Sequence, residues 1–405
     1  MIKITEPKRE LFVTHECDVL VCGGGVAGIS AAISAARSGA QVILLEREYM
    51  LGGLATLGLI TIYLPLCDGE GHQVSFGIAE ELLRLSVKRG IVEGRYPKAW
   101  LEGGTLEEKK ENRFIVQYNA NAFAIDAEKL LLDSGVKILY GTIAAQTLVE
   151  DQRITHVITE SKSGRAAIAV NTVIDCTGDA DICKLSGADC ETFKQGNILA
   201  AWYYRFCEEN GVKLRQLGAS DIPEEYKKKK TENLLTERRF SGLCGEEISE
   251  MVILSHQTAI DDFEKYRKDH PFALPVTFPT IPQIRMTRRI VGLTTLDDKE
   301  PKRFEQSSIG MIADWRKRGP VYELPFECLF GDKIKNLITA GRNISVTDSM
   351  WDITRVIPVC AVTGQAAGAA AALTDDFSAL DVTLLQKKLS DDGVVLHWDE
   401  IDKGE

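Results

Sequence analysis

A chain of 405 residues has room for two or three domains and a sizeable core. Its 59 acidic against 48 basic residues leave a formal charge of −11, which excludes a nucleic-acid surface. Ten cysteines with no C-x-x-C pair predict no structural zinc, no other metal site and no redox disulfide. The opening MIKITEPKRELFV lacks the apolar core of a secretory signal. With the cysteine usage it sets the expectation of reduced thiols in the cytoplasm.

The first strong element is a strand at 18–22, running into Gly23-Gly24-Gly25-Val26-Ala27-Gly28. An Ala-rich helix, Gly39 and a second strand at 41–45 follow, ending on Glu46. This is G-x-G-x-x-G between a strand and a helix, with an acid about 20 residues on, the setting of a dinucleotide site. Gly23 permits the tight turn, Gly25 lets backbone approach a pyrophosphate, and Gly28 lets helix and strand pack closely. The helix N-terminus offers free N–H groups and a partial positive charge. Glu46 is placed to accept from a ribose 2′-OH, which favours an unphosphorylated ribose.

Gly52-Gly53-Leu54-Ala55-Thr56 supplies a second glycine pair after that strand. A helix is expected at 78–88, and a charged, glycine-rich stretch at 91–113 reads as an exposed excursion. A helix at 122–133 leads to a strand at 137–140. Segments 143–149, 154–160 and 166–170 read as an antiparallel meander. Residues 171–176 read as a further strand, ending in Thr177-Gly178-Asp179-Ala180-Asp181. The lysine run 227–230 reads as a solvated helix face. A long amphipathic helix is expected near 246–269 and a strand at 281–290. A buried strand at 336–340 precedes Gly341-Arg342 and a helix at 356–373. That helix is uncharged but rich in Ala and Gly, and reads as a buried helix rather than a membrane span. Gly364, Ala367, Gly368 and Ala371 form a small-residue stripe that permits close packing against a sheet or ligand.

Several side chains are candidates for chemistry. On a strand, Arg285, Thr287 and Arg289 would share a face, suited to a carboxylate; ordinary surface arginines on an edge strand are the alternative. Arg355 would serve a bound cofactor or substrate, or pair with Asp352 as a residue at a helix start. His72 lies in a polar loop, as a catalytic candidate or a solvated histidine. Tyr63 and Trp351 are candidates to wall the pocket.

Four segments together resemble the FAD-dependent oxidoreductases of the two-dinucleotide-binding-domain type. They are the phosphate loop through Glu46, Gly52-Gly53-x-x-Thr56, the strand ending Asp175-Cys176-Thr177-Gly178-Asp179, and LITAGRNIS…DITRVIPVCAVTGQAAGAAAAL. More narrowly, the chain resembles a bacterial group distantly related to fumarate reductase and succinate dehydrogenase flavoproteins. The resemblance implies an α/β fold with a Rossmann-like FAD-binding domain, a central parallel sheet, a three-stranded meander and a mixed α+β cap. The FAD domain would comprise 1–60, 115–185 and 331–385, the cap 61–114 and 186–330, with a tail at 386–405. It further implies that Gly23, Gly25, Val26, Ala27 and Gly28 hold the pyrophosphate and Glu46 the adenosine ribose, with Arg47 nearby. Gly52, Gly53 and Thr56 would continue the phosphate and ribityl contacts, and Thr142 and Ile143 would meet the adenine. Thr177, Gly178 and Asp179 would return the chain past the phosphate loop. Gly341 and Arg342, in place of the superfamily's frequent Gly-Asp, would approach the ribityl or pyrophosphate. Arg355 and Val356 would face the flavin pyrimidine edge. The expected function is hydride transfer between non-covalent FAD and a small organic molecule, with Arg285, Arg355 and His72 as catalytic candidates. An NAD-dependent dehydrogenase, an electron-transfer subunit without its own turnover, or a hydroxylase using NAD(P)H and O₂ are the competing functions. The acid-rich surface fits a monomer or a homo-oligomer and no membrane partner.

Overall fold

The computed structural model describes residues 3–91, 96–218 and 234–401. The lysine run 227–230 lies outside the described residues. At the centre is strand β1 (Val13–Cys22), whose run Val19-Leu20-Val21-Cys22 is buried on both faces. Such a run fits a parallel strand covered on both sides. It leads into helix α1 (Val26–Arg37) and back to strand β2 (Val42–Leu45), parallel to β1. The sheet runs Lys137–Leu139, β2, β1, Gly164–Asp175, Arg153–Ser161, Ile143–Glu150. Leu337–Thr339 also pairs with Gly164–Asp175, in parallel.

The third meander strand and the strand expected at 171–176 are one strand, Gly164–Asp175. No turn residue interrupts it. Its length pairs with β1 from Ala167 to Asp175, while its first half also takes the antiparallel strand Arg153–Ser161.

The C-terminal helix Ile357–Leu373 is buried along most of its length. The small-residue stripe packs it on α1, not on the sheet. A Cβ on Gly364 would lie 2.3 Å from the Ala27 carbonyl oxygen, and one on Gly368 2.2 Å from that of Ala31. Ser34 Oγ, donating to the Gln365 carbonyl at 2.7 Å, ties the two helices together. Among the described residues no single helix is long and apolar enough to cross a membrane; the pair Asp348–Thr354 and Ile357–Leu373 reaches that length only across a 91° bend.

The other region holds a three-stranded sheet, Gly211–Arg215, Tyr203–Cys207 and Leu274–Thr277. Helix Gly245–Arg267 covers it through Ala259 and Phe263. Only Arg288–Ile290 of the expected strand 281–290 forms a ladder, with Cys190–Thr192. Pro282 has no N–H to give, and the Asn197 side chain serves the next residues instead. Its Oδ1 accepts from the Arg285 and Met286 N–H groups at 3.0 and 2.9 Å. The stretch expected as an exposed excursion contains two short helices and is pinned by Trp100, stacked on Phe114 at 5.1 Å. The segment expected as a tail continues the fold. Helix Val382–Asp391 buries Leu385 and Leu389, and the Leu396 carbonyl accepts from Ser308 Oγ at 2.6 Å.

Gly364→Val is expected to cost about 1–3 kcal/mol of unfolding free energy or more by overpacking. Gly245→Ala, where a Cβ meets nothing within 4 Å, should be neutral or slightly stabilising. Denaturant midpoints of the two variants check this; equal midpoints would contradict the close approach.

Candidate functional site

The turn after β1 is built from backbone in contact with backbone. Gly23 has φ +106°, and a Cβ there would sit 2.5 Å from the Cys176 carbonyl oxygen. A Cβ on Gly28 would lie 1.8 Å from the Gly23 carbonyl oxygen. Gly25 differs: a Cβ there would meet nothing within 4 Å, because it faces a cavity of about 530 Å³. Gly25 is also the N-cap of α1 and caps no N–H with a side chain, so the first turn of α1 offers its donors to whatever fills that cavity. Val26, Ala27, Gly52 and Gly53 line the same space. Gly28 and Thr56 do not line it and stand behind the turn. Thr56 Oγ1 donates to the Leu51 carbonyl at 2.5 Å, under the glycine pair.

At one end of the cavity Glu46 is buried, and burial raises its carboxyl. The N–H groups of Gly24 and Glu48 oppose that rise, each donating to one carboxylate oxygen at 2.8 Å. Each oxygen retains lone-pair capacity for a ligand hydroxyl. Arg47, Thr142 and Ile143 line the cavity beside it. The Thr142 N–H donates to the Glu46 carbonyl at 3.1 Å.

Thr177, Gly178 and Asp179 form the next wall. The wholly buried Asp175 carboxylate fixes this loop, accepting from Thr177 Oγ1 at 2.7 Å, the Cys183 N–H at 3.0 Å and Asn343 Nδ2 at 3.1 Å. Three chain segments meet on that one carboxylate. Arg342 lines the cavity from the Asn343 side, its Nη1 donating to the Arg285 carbonyl at 2.9 Å and its Nη2 lying 3.5 Å from Asp179.

Gly341, Arg355 and Val356 line the cavity as well. Val356 is the N-cap of Ile357–Leu373 and offers no side-chain cap, so a second helix N-terminus opens on the same space. Arg355 reaches the cavity and is also paired: its Nε donates to the buried Asp352 at 3.0 Å. Arg355 therefore lines the cavity and pairs with Asp352 at once. Arg285 lines the cavity too, with its Nη2 donating to Gln283 Oε1 at 2.9 Å.

The remaining candidates stand elsewhere. Arg289 does not share the cavity with Arg285. Its guanidinium binds Asp348 at 2.7 Å and Glu191 at 2.8 Å and lies over Trp351, because the ladder starts only at Arg288. His72 does not line the cavity; its Nδ1 donates to Asp68 at 2.9 Å, and its ring meets Trp398 edge-on. Tyr63 and Trp351 are buried in the core, not in the pocket wall. Their polar atoms donate to the carbonyls of Ala79 and Arg342 at 2.6 and 2.5 Å. Trp202, Trp315 and Cys360 line the cavity instead. No local sequence pattern marks the two tryptophans. Cys360 sits one turn into a helix whose start was legible, and that was its available signal.

Two uncapped helix N-termini, an open Cβ position at Gly25 and a buried carboxylate around one cavity are a donor set that would suit a dinucleotide. A family profile described as "FAD dependent oxidoreductase" matches residues 18–230 and 246–389. A thioredoxin reductase of Ureaplasma parvum serovar 3 is 33% identical over 70 residues, which is 17% of this chain and 23% of that protein. A fumarate reductase (cytochrome) of Shewanella frigidimarina is 62% identical over 40 residues, 10% of this chain and 7% of that protein. The chain thus aligns with less than a quarter of either relative. Among solved structures, a flavocytochrome c3 fumarate reductase in its open conformation aligns with a TM-score of 0.40 at 13% identity, over 89% of this chain and 79% of that one.

Glu46→Ala should weaken retention of the dinucleotide by about tenfold or more, the loss of a charge-assisted hydrogen bond; cofactor content per chain after gel filtration reads this, and unchanged content would remove the ribose role. Asp181, beside Asp179 in the cavity wall, has its carboxyl pushed up to about 6, first by burial and then by Asp179 and Asp175, against Arg288. Its folded-state value is raised, so the stabilisation from the protonated form is full below the ordinary value of 3.8 and is lost as pH rises through about 6. Asp181→Asn should therefore gain Tm relative to the parent across that window and hold the gain above it. A Tm difference independent of pH would contradict this.

Proposed function

The chain belongs to the FAD-dependent oxidoreductase family, and on that premise we propose that it transfers hydride between a small organic carboxylate and non-covalently held FAD. The observation that carries this reading is a single continuous cavity joining the dinucleotide loops to Arg285, a side chain only 4% exposed. When bound, FAD supplies a two-electron acceptor or donor for the hydride.

The chain's own residues supply the rest. The α1 N-terminus and the glycine turn hold phosphates, and Glu46 accepts from the ribose. Arg285 is placed to bind a carboxylate through its planar fork. Gln283 fixes that fork, its Nε2 donating to the Gly58 carbonyl at 2.6 Å. Leu54, Ile60 and Ile62 along the wall keep water away from the reacting carbon. Arg355 and the helix start at Val356 place positive charge at the same part of the cavity. Positive charge there stabilises the anionic reduced form of a flavin and raises its potential.

Anaerobic addition of a panel of organic acids and alcohols to the oxidised holoenzyme tests the reaction. Bleaching of the visible flavin band by a member of the panel supports hydride transfer. Reduction by low-potential electron carriers, with none by any organic donor, would contradict it in favour of an electron-carrying role. Arg355→Met should lower the flavin midpoint potential by about 30 mV or more, the two-electron equivalent of about 1.4 kcal/mol. An unmoved potential would take Arg355 away from the flavin.

A further inference from the structure

The charge that Arg355 brings to the cavity is governed by residues behind the wall, an inference that rests on the placement of Arg355 beside the flavin. Asp352 is wholly buried and takes Arg355 on one carboxylate oxygen: Oδ1 accepts from Nε at 3.0 Å and from Nη2 at 2.5 Å. The backbone carbonyl of Asp352 accepts from Trp315 Nε1 at 2.9 Å, and the Arg355 guanidinium lies 5.9 Å from the Trp315 ring centroid. Arg355 and Trp315 both line the cavity, and Asp352 stands behind them. One residue thus holds both the cation and the ring beside it.

The second oxygen of Asp352 faces another arginine. Arg316 Nη1 lies 3.5 Å from Oδ2, and Arg316 is itself anchored on the wholly buried Asp314, through Nε at 2.9 Å and Nη2 at 3.0 Å. Asp298 and Lys317 stand at the outer end, 4.0 Å from Arg316 and 3.7 Å from Asp314. The row Asp314, Arg316, Asp352, Arg355 therefore alternates in sign up to the cavity. Screening inside such a row is weak, so each charge acts on its neighbours and beyond them. A carboxylate bonded to Arg355 cancels part of the positive field that the arginine sends into the cavity. We propose that Asp352 is a positioning residue that aims Arg355 at the bound flavin and holds down the potential that Arg355 raises, with Arg316 in turn offsetting the negative charge of Asp352. Asp352→Asn separates shape from charge, since it keeps an oxygen for Arg355 and the backbone carbonyl for Trp315.

Midpoint potentials of bound FAD in the holoenzyme and its variants test this. Asp352→Asn should raise the two-electron potential by about 30 mV or more, about a tenfold shift in the reduction equilibrium. Asp352→Glu keeps the charge and should stay closer to the parent than Asp352→Asn. Arg316→Gln should lower the potential, and it carries the test with the opposite sign if Asp352→Asn gives no folded chain. A potential unmoved or lowered in Asp352→Asn, raised as far by Asp352→Glu, or not lowered in Arg316→Gln would overturn the proposal. Arg355→Met tells the two failures apart. If it lowers the potential while Asp352→Asn does not raise it, only the role of Asp352 falls; if neither variant moves the potential, the placement of Arg355 beside the flavin falls as well.

Discussion

The close crossing of α1 and the C-terminal helix is the constraint on which the site depends. Gly364 and Gly368 let one helix backbone lie against the carbonyls of Ala27 and Ala31 on the other. With side chains at those positions the helices would stand further apart, since packed interiors do not absorb extra volume freely. Close contact brings the two uncapped N-termini, at Gly25 and Val356, to one cavity. Partial positive charge from two helices thus converges on that cavity. Gly23 and Gly28 extend the same device to the strand, so that turn, helix and strand meet with almost no side chain between them.

Buried carboxylates organise the rest. Asp175 holds the 177–179 loop, the segment at Cys183 and Asn343 on one group, and burial raises its carboxyl while Thr177 and the Cys183 N–H lower it. Asp352 holds Arg355 through its side chain and Trp315 through its carbonyl, which accepts from Trp315 Nε1 at 2.9 Å. Each acid sits behind the cavity wall and fixes groups that form it. A buried acid without such donors would be costly; here one donor to each acid, Thr177 to Asp175 and Arg355 to Asp352, also lines the cavity, so neutralising the buried charge also places part of the wall.

Legibility in the sequence followed the range of the interactions. The glycine turn, Glu46, the second glycine pair and the two helix starts are local backbone requirements, and the structure gathers Gly23, Gly25, Glu46, Gly341 and Arg355 around one cavity. The small-residue stripe was visible, but its partner, α1, lies some 330 residues away in sequence, as the Ser34–Gln365 bond shows. Trp202, Trp315 and Gln283 carry no periodic signature and reach the cavity only through tertiary packing. The expected strand 281–290 failed because Pro282 and the Asn197 amide divert its hydrogen bonds, which also separates Arg289 from Arg285. Loop composition alone marks His72, and composition does not reveal that its Nδ1 is bound to Asp68, outside the cavity lining.

The central claim is that these glycine turns and helix starts hold FAD. An absorption spectrum of the purified chain, before and after heat release of its chromophore, tests it most directly. The account predicts a two-banded flavin spectrum, with the chromophore released by heat and identified as FAD. A colourless chain that cannot be reconstituted with FAD yet binds NAD would contradict it.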